Sequence, residues 1–412
     1  MTKSNNTLPH GWSSLPINEV FDFIGTSSFS RNDLNYEEDE DSIYYIHYGD
    51  IHATYKNAVL DFNTETRIPV LNKNIKPSAH LLKEGDLIIA DASEDYEGVG
   101  EALEVYNIEN KKVLAGLHTF ALRDKNNITA HGYRAYLFKN PEVKKRLKTI
   151  ATGSKVYGIS KGNLEKFKIT IPPLAQQQKI AKILATWDKA ILLQQQLIIN
   201  KKDNKKAIMK KLLSGNMRFK GFSDIWKLKS LEEVALFKNG KGHETVVDEN
   251  GDYIIVNSKF ISTEGNVIKY TNHNLSPLKK HEITLVMSDI PNGKALAKCF
   301  FIDEDNKYSL NQRICSLKAE VGIDSKFLFY LLNRNQYFLG FNNGVSQTNL
   351  RKDEVLECPL MIPSIEEQQK IASFLSGIDK EIKTLENELI AFQKQKKGLM
   401  QQLLTGKVRV KN

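Results

Sequence analysis

Two stretches of the chain repeat apolar side chains at alternating steps of four and three residues. The later one runs Ile371, Leu375, Ile378, Ile382, Leu385, Leu389, Phe392, Lys396, Leu399, Leu403, with one lysine in the series. That period is the heptad seam of a helix packed on another helix. The earlier stretch follows it with Ile180, Leu184, Trp187, Ile191, Ile198, Ile208 and Leu212, and is interrupted by Gln194, Lys201 and Lys205. Each stretch opens after proline ends a strand-like run, Lys168 to Ile171 before Pro172-Pro173 and Pro359 to Ile362 before Pro363. Each then lacks proline until Gly215 or Gly406, which occupy the place of a left-handed helix stop. The pattern predicts two helices of roughly 38 residues, about 57 Å each at 1.5 Å per residue. So long an amphipathic helix needs a partner for its stripe. The two are expected to pack on each other as an antiparallel intramolecular coiled coil with a pseudo-twofold axis.

The helices belong to an internal repeat. Ile171-Pro172, Gln177-Gln178-Lys179-Ile180-Ala181, Asp188-Lys189, Leu212-Leu213, Gly215 and Arg218 recur as Ile362-Pro363, Gln368-Gln369-Lys370-Ile371-Ala372, Asp379-Lys380, Leu403-Leu404, Gly406 and Arg409. In ungapped register about 19 of 49 positions are identical. Upstream, Trp12, Glu19-Val20 and Phe23 match Trp226, Glu233-Val234 and Phe237. Gly158 to Leu164 reads like Gly344 to Leu350, and Leu81 to Asp91 resembles Leu278 to Asp289. Between these anchors the halves diverge.

The diverged segments mix short β-like runs with turns. Strands are expected at Ser42 to Tyr48, Leu87 to Ala90 and Thr119 to Arg123, then at Tyr253 to Asn257, Thr284 to Met287, Cys299 to Ile302 and Ile314 to Lys318. Helices are expected at Gly132 to Lys148 and Ser325 to Asn333. The fold class is α+β, with a first module over 1–171, a first helix over 172–215, a second module over 216–362, and a second helix with the tail over 363–412.

Charge adds a direction. The chain has 412 residues and a net charge of +9, a balance suited to a polyanion because phosphates attract Lys and Arg and release counterions. The excess is concentrated: Lys139 to Lys182 holds only Glu142 and Glu165 as acids, and Lys201 to Lys220 sets eight basic residues against Asp203. Three scattered cysteines point to a reducing cytoplasm and against disulfides or a zinc site. No apolar run approaches a membrane span, and the polar N-terminus reads as no signal peptide.

Candidate contacts to double-stranded DNA lie in Asn-, Gly- and Lys-rich loops, whose amides and cations suit base edges and phosphates. In the first module they are Lys155, Tyr157, Ser160 and Lys161; in the second, Lys259, Asn292, Lys294, Gln312, Arg313, Asn343, Ser346, Gln347 and Asn349. Turns alone also favour such residues. Catalytic constellations are not found. Gly293-Lys294-Ala295 lacks the rest of a phosphate loop, and there is no His-Glu-x-x-His. His47 and His52 read as loop or core histidines rather than metal ligands, and Ile171-Pro172-Pro173-Leu174 lacks the Asn or Asp and the aromatic of an adenine-methyltransferase motif. No catalytic and no metal-binding residue is expected.

The proline, double glutamine and Ile-Ala opening a heptad helix, closed by Leu-Leu-x-Gly and present twice, resembles the specificity subunits of type I restriction–modification enzymes over nearly the whole length. The resemblance implies two target-recognition domains, each reading half of a split, asymmetric DNA site, and a chain without catalysis of its own. It implies helices that dock two methyltransferase subunits, with restriction and translocase subunits beyond them. Gln177, Gln178, Lys179 and Asp188, and their repeats Gln368, Gln369, Lys370 and Asp379, become candidate docking residues. Ala175-Gln176 stands where the second copy has Glu366-Glu367, a departure that bears on one docking surface. S-adenosylmethionine, ATP and Mg2+ are expected on the partners, and no cofactor on this chain. Two rival readings are a DNA-binding enzyme with a cryptic nuclease site and a coiled-coil scaffold that binds only protein.

Overall fold

The computed structural model describes residues 8–55, 57–72, 80–290 and 293–410. They form two compact units, 1–196 with 387–412, and 197–386.

The first unit centres on a five-stranded sheet in the order Phe21–Ile24, Thr119–Asp124, Leu87–Ala90, Ala102–Tyr106, Val59–Asp61. Leu87–Ala90 is apolar at every position because both of its faces are covered. Leu87 and Ile89 enter one core, and Ile88 and Ala90 enter another. A second sheet orders Lys112–Ala115, Ile43–Ile46, Val70–Leu71 and Leu34–Asn35. Two short antiparallel ladders complete it, Ser13–Pro16 with Lys168–Ile171 and Ala92–Ser93 with Tyr157–Gly158.

The second unit repeats this plan. Its main sheet orders Ala235–Asn239, Ile314–Ala319, Ile283–Val286, Cys299–Phe301, and its side sheet Tyr270–Thr271, Tyr253–Val256, Tyr308–Leu310. The ladders are Lys227–Ser230 with Pro359–Ile362 and Ser288–Asp289 with Thr348–Asn349. These ladders correct the register of the upstream repeat. Tyr157–Gly158 corresponds to Thr348–Asn349, so Gly158-Ile159-Ser160 answers Asn349-Leu350-Arg351 and not Gly344-Val345-Ser346. Ile159 and Leu350 are accordingly buried alike. Likewise Leu82 answers Leu278, each donating its backbone N–H to the side sheet.

The expected helix over Gly132 to Lys148 is two helices, Arg134–Lys139 and Pro141–Ile150. Asn140-Pro141 makes the break. Proline has no N–H to donate inside a helix but fits the first turn, and the Asn140 side chain caps that turn by accepting from the Glu142 N–H.

The long helices are Leu174–Leu213 and Ile365–Leu404, 40 residues each. Every heptad position named from sequence is buried or half-buried. In the first unit, the opening of the first helix (Ile180, Ala181, Leu184) shares a core with the close of the second (Leu403, Leu404), and Trp187 meets Phe392 edge to face at 5.9 Å. In the second unit, the opening of the second helix (Ile371, Ala372, Leu375) shares a core with Leu212 at the close of the first. Start meets end in both, so the pair is antiparallel. The polar residues of the seam are partnered: Lys396 with Asp188, Lys205 with Asp379, Lys201 with Glu381, Gln194 with Glu388.

Both helices stop at glycine in the left-handed region, Gly215 at φ 72° and Gly406 at φ 70°. Each glycine faces a tryptophan, Trp226 and Trp12 respectively. A Cβ on Gly215 would meet nothing nearer than 3.7 Å, whereas one on Gly406 would lie 2.6 Å from Pro9 Cγ and 3.1 Å from the Trp12 ring. Gly215→Ala is expected to cost about 1–2 kcal/mol for the left-handed backbone. Gly406→Ala adds an overlap of about 1–3 kcal/mol. Denaturant unfolding of the two variants should show the second clearly less stable; equal losses would contradict the packing.

Candidate DNA interface

In each unit, the turn between side sheet and central strand is held by the same two backbone hydrogen bonds. In the first unit Gly116 N–H donates to Ile46 O at 2.9 Å, and Asp91 N–H donates to His118 O at 3.0 Å. In the second, Asn311 N–H donates to Val256 O at 3.1 Å, and Met287 N–H donates to Arg313 O at 3.0 Å. These bonds gather three segments of each unit, one short helix and two loops: Tyr48–Ala53, 91–98 and 116–118 in the first, and Ser258–Ser262, 288–290 with 293–298, and 311–313 in the second. The Ala92–Ser93 and Ser288–Asp289 ladders bring in a fourth, 152–158 and 342–349.

The first unit lines this surface with aromatic rings. Tyr48 lies 4.7 Å from His47 and 5.3 Å from His118, centroid to centroid. His52 Nε2 is 2.9 Å from Ala92 O. Tyr157 packs on Tyr96 at 5.1 Å, and Lys155 is exposed with no side-chain partner among the described residues. Ser160 caps the helix Lys161–Lys166 by accepting from the Asn163 N–H at 3.3 Å, and Lys161 lies over the Phe23 ring.

The second unit lines it with amides and cations. Gln347 Nε2 donates to Ser288 Oγ at 2.8 Å, and the Ser288 hydroxyl donates to Asn349 Oδ1 at 2.5 Å. Asn343 Oδ1 accepts from Val345 N–H and Ser346 N–H, which shapes its own turn. Gln312 donates to Glu244 at 2.6 Å. Lys259, Lys294 and Arg313 are exposed and carry no side-chain hydrogen bond or ion pair among the described residues. Asn292 lies outside the described residues. Sequence reasoning had no hold on His118, Tyr48 or Tyr96, because only the topology reveals that His118 answers Arg313 in the second unit.

The helix residues divide by exposure. Gln177 and Gln368 are buried. Gln177 accepts from Ala130 N–H and donates to Ile128 O and Pro172 O. Gln368 does the same with Asp324 N–H, Gly322 O and Pro363 O. Asp188 accepts from Tyr136 and Lys396, and Asp379 from Tyr330 and Lys205. Burial, then the adjoining carboxylate, raises both phenols and keeps them donors. Glu367 is buried against Arg218 and the Trp226 N–H, and Gln176 accepts from the Trp12 N–H at 3.2 Å in its place. At Gln176 the departure from the acidic pair changes an internal clasp, and at Ala175, exposed like Glu366, it changes an outer face. Gln178, Gln369 and Lys370 face outward, and Lys179 is half-exposed.

Among the described residues no three His, Cys, Asp or Glu side chains converge as a metal cluster, and no helix is long and apolar enough to cross a membrane. Cys299, Cys315 and Cys358 are free and buried.

At the base of the 91–98 loop, Glu101 accepts from Lys139 at 2.7 Å and Lys144 at 2.6 Å. Burial opposes its charge, but the two ammoniums outweigh that and hold the carboxyl at about 2, below its ordinary 4.5. A carboxyl lowered on folding stabilises above its unfolded pKa and stops doing so as pH falls toward the folded one. The gap is worth about 3 kcal/mol at 1.36 kcal/mol per pH unit. Stability at pH 7 is expected to exceed that at pH 2.5 by an amount that shrinks by about this much in Glu101→Gln. Identical pH profiles in urea unfolding would refute the pairing.

The geometry defines a duplicated scaffold whose two like cores present two unlike loop surfaces. The chain belongs to the type I restriction–modification DNA specificity family, whose sequence model matches residues 9–201 and again 224–391. It is 32% identical over 330 residues to the type I restriction enzyme MjaVIII specificity subunit of Methanocaldococcus jannaschii, covering 73% of this chain and 76% of that one. It is 28% identical over 349 residues to the putative MjaX specificity subunit of the same organism, covering 79% of each. Its fold matches the S subunit of a type I restriction–modification system from M. genitalium, with TM-score 0.57, 15% identity and 98% of both chains covered. It also matches a chain solved in a study of complex assembly and conformational transition of the type I system, with TM-score 0.61, 13% identity, and 98% and 100% covered.

Proposed function

We propose that this chain selects a bipartite, asymmetric DNA target, one half per module, for partner subunits that do the chemistry. The observation that carries the reading is the contrast between repeat and divergence. The same clasps (Gln177 and Gln368, buried; Asp188–Lys396 and Asp379–Lys205, half-buried) recur in both units, while aromatic rings line one surface and amides and cations the other. Unlike surfaces suit unlike half-sites. The helices, alike in both copies, suit docking of two methyltransferase subunits in the same way twice. The outward Gln178, Lys179, Gln369 and Lys370 are better placed for that than the spent Gln177, Gln368, Asp188 and Asp379. S-adenosylmethionine, ATP and Mg2+ then belong to the methyltransferase and restriction subunits, and the setting is the cytoplasm. The four recognition segments of each module supply hydrogen-bond donors, acceptors and cations.

Residues 17–167 begin and end beside paired strands, Pro16 opposite Lys168, so this block can be exchanged with little strain. Replacing it with the matching block of another family member is expected to change one half of the methylated motif and leave the other intact. Methylome sequencing reads the outcome, and a change in both halves or in neither would overturn the reading. Purified chain mixed with duplex DNA and Mg2+ is expected to bind with an affinity that falls as salt rises and to leave the duplex uncut. Cleavage would favour the cryptic nuclease, and no salt-dependent binding even with partners would favour the protein-only scaffold.

A further inference from the structure

His118 and Arg313 share no chemistry that a sequence comparison would pair, yet they occupy one position of the fold. Each is the last residue of the turn between side sheet and central strand. Each has a left-handed backbone, φ 58° and φ 65°. Each accepts through its carbonyl from the residue after the same strand, Asp91 or Met287, and each turn opens with an N–H bonded to the end of the first side-sheet strand, Ile46 or Val256. Four matched hydrogen bonds therefore fix both Cα positions. Glycine or asparagine fills such a backbone at less cost, so the turn itself does not call for histidine or arginine. Both side chains stand in solvent. Arg313 has no hydrogen bond or ion pair among the described residues. The His118 side chain is 51% exposed, and its Nδ1 lies 3.4 Å from Asp91 Oδ1. Tyr48 packs edge-on against the His118 ring and restricts its swing.

We infer that His118 and Arg313 are equivalent specificity-determining residues, each reading a base edge in the half-site of its own module. This rests on the DNA-selection reading above. A guanidinium carried from a fixed Cα donates two parallel N–H groups and matches the O6 and N7 acceptors of guanine in the major groove. An imidazole whose Nδ1 faces Asp91 turns Nε2 outward, and where that nitrogen carries no proton it accepts from the exocyclic amine of adenine or cytosine. The first half-site is thus expected to carry an amine at the position where the second carries guanine.

The test uses the full chain in complex with its methyltransferase subunits. Methylome sequencing of cells with the wild-type complex first defines the motif; absence of a two-part motif would sink the DNA-selection reading itself. Competition binding then compares duplexes carrying each single-base replacement. The complexes contain wild-type chain, Arg313→Asn, Arg313→Lys or His118→Asn, asparagine being chosen because it tolerates positive φ. Both Arg313 variants are expected to lose roughly 5- to 150-fold of discrimination, the worth of a bidentate pair, at one position in one half, with the other positions unchanged. Arg313→Lys should retain most of the overall affinity. His118→Asn should do the same at one position in the other half. An unaltered preference profile, a uniform loss over all duplexes including failure to bind any, or a change in both halves would overturn the inference.

Discussion

Neither of the two cores that the long helices enter is closed by its own segment of chain alone. The first takes Ile180, Ala181 and Leu184 from the opening of one long helix and Leu403 and Leu404 from the end of the other; the second takes Ile371, Ala372 and Leu375, and Leu212. The Leu-Leu-x-Gly ending is the physical form of that exchange. The leucines enter a core, and the glycine turns left-handed where a tryptophan of that unit lies against it. The first unit therefore needs both the beginning and the end of the chain. Asn140 underlines this by donating to the carbonyl of Leu404 at 2.6 Å across 264 residues of sequence. Shortening either helix would open a core and not merely trim a spacer.

Polar groups set the register of the exchange. Apolar heptads alone slide at little cost, and a partly buried polar contact in the seam penalises the wrong alignment. Tyr136–Asp188–Lys396 and Tyr330–Asp379–Lys205 are such contacts, each tying helix to helix and helix to module at one carboxylate. The glutamine clasps add three hydrogen bonds each in buried surroundings, where an unmet partner costs about 1–3 kcal/mol.

What was legible in the sequence follows from this. The helices and their stops were readable because a heptad period, proline and glycine are local signals. Leu87–Ala90 was readable because both of its faces are buried. Ala102–Tyr106 was missed because Glu104 breaks its apolar run. That carboxylate is fully buried and accepts from the N–H groups of Gly132 and Arg134, while burial pushes it up to about 7. Of the docking candidates, Gln177 and Gln368 point inward, a distinction that requires knowing which helix face is covered. The candidate loop residues carried no period at all, and the apparent match of Gly158-Ile159-Ser160 to Gly344-Val345-Ser346 paired residues that the ladders hold in different places.

That mismatch explains how recognition surfaces can change while the scaffold stays. The bonds that place His118 and Arg313 use not their side chains but their backbone groups, which every residue but proline supplies. The neighbouring positions are held by Tyr45, whose hydroxyl accepts from the Leu117 N–H at 2.9 Å, and by Asn311, whose Oδ1 accepts from the His243 N–H at 3.2 Å. The contacts that bind modules to helices use particular side chains, and those sit away from these turns, in the clasps at Gln177, Asp188, Gln368 and Asp379. A substitution at His118 or Arg313 therefore changes what faces outward without removing a backbone hydrogen bond of the turn. A substitution in a clasp removes several buried hydrogen bonds at once. Divergence is cheap in the first place and costly in the second, which is the division the two halves of this chain display.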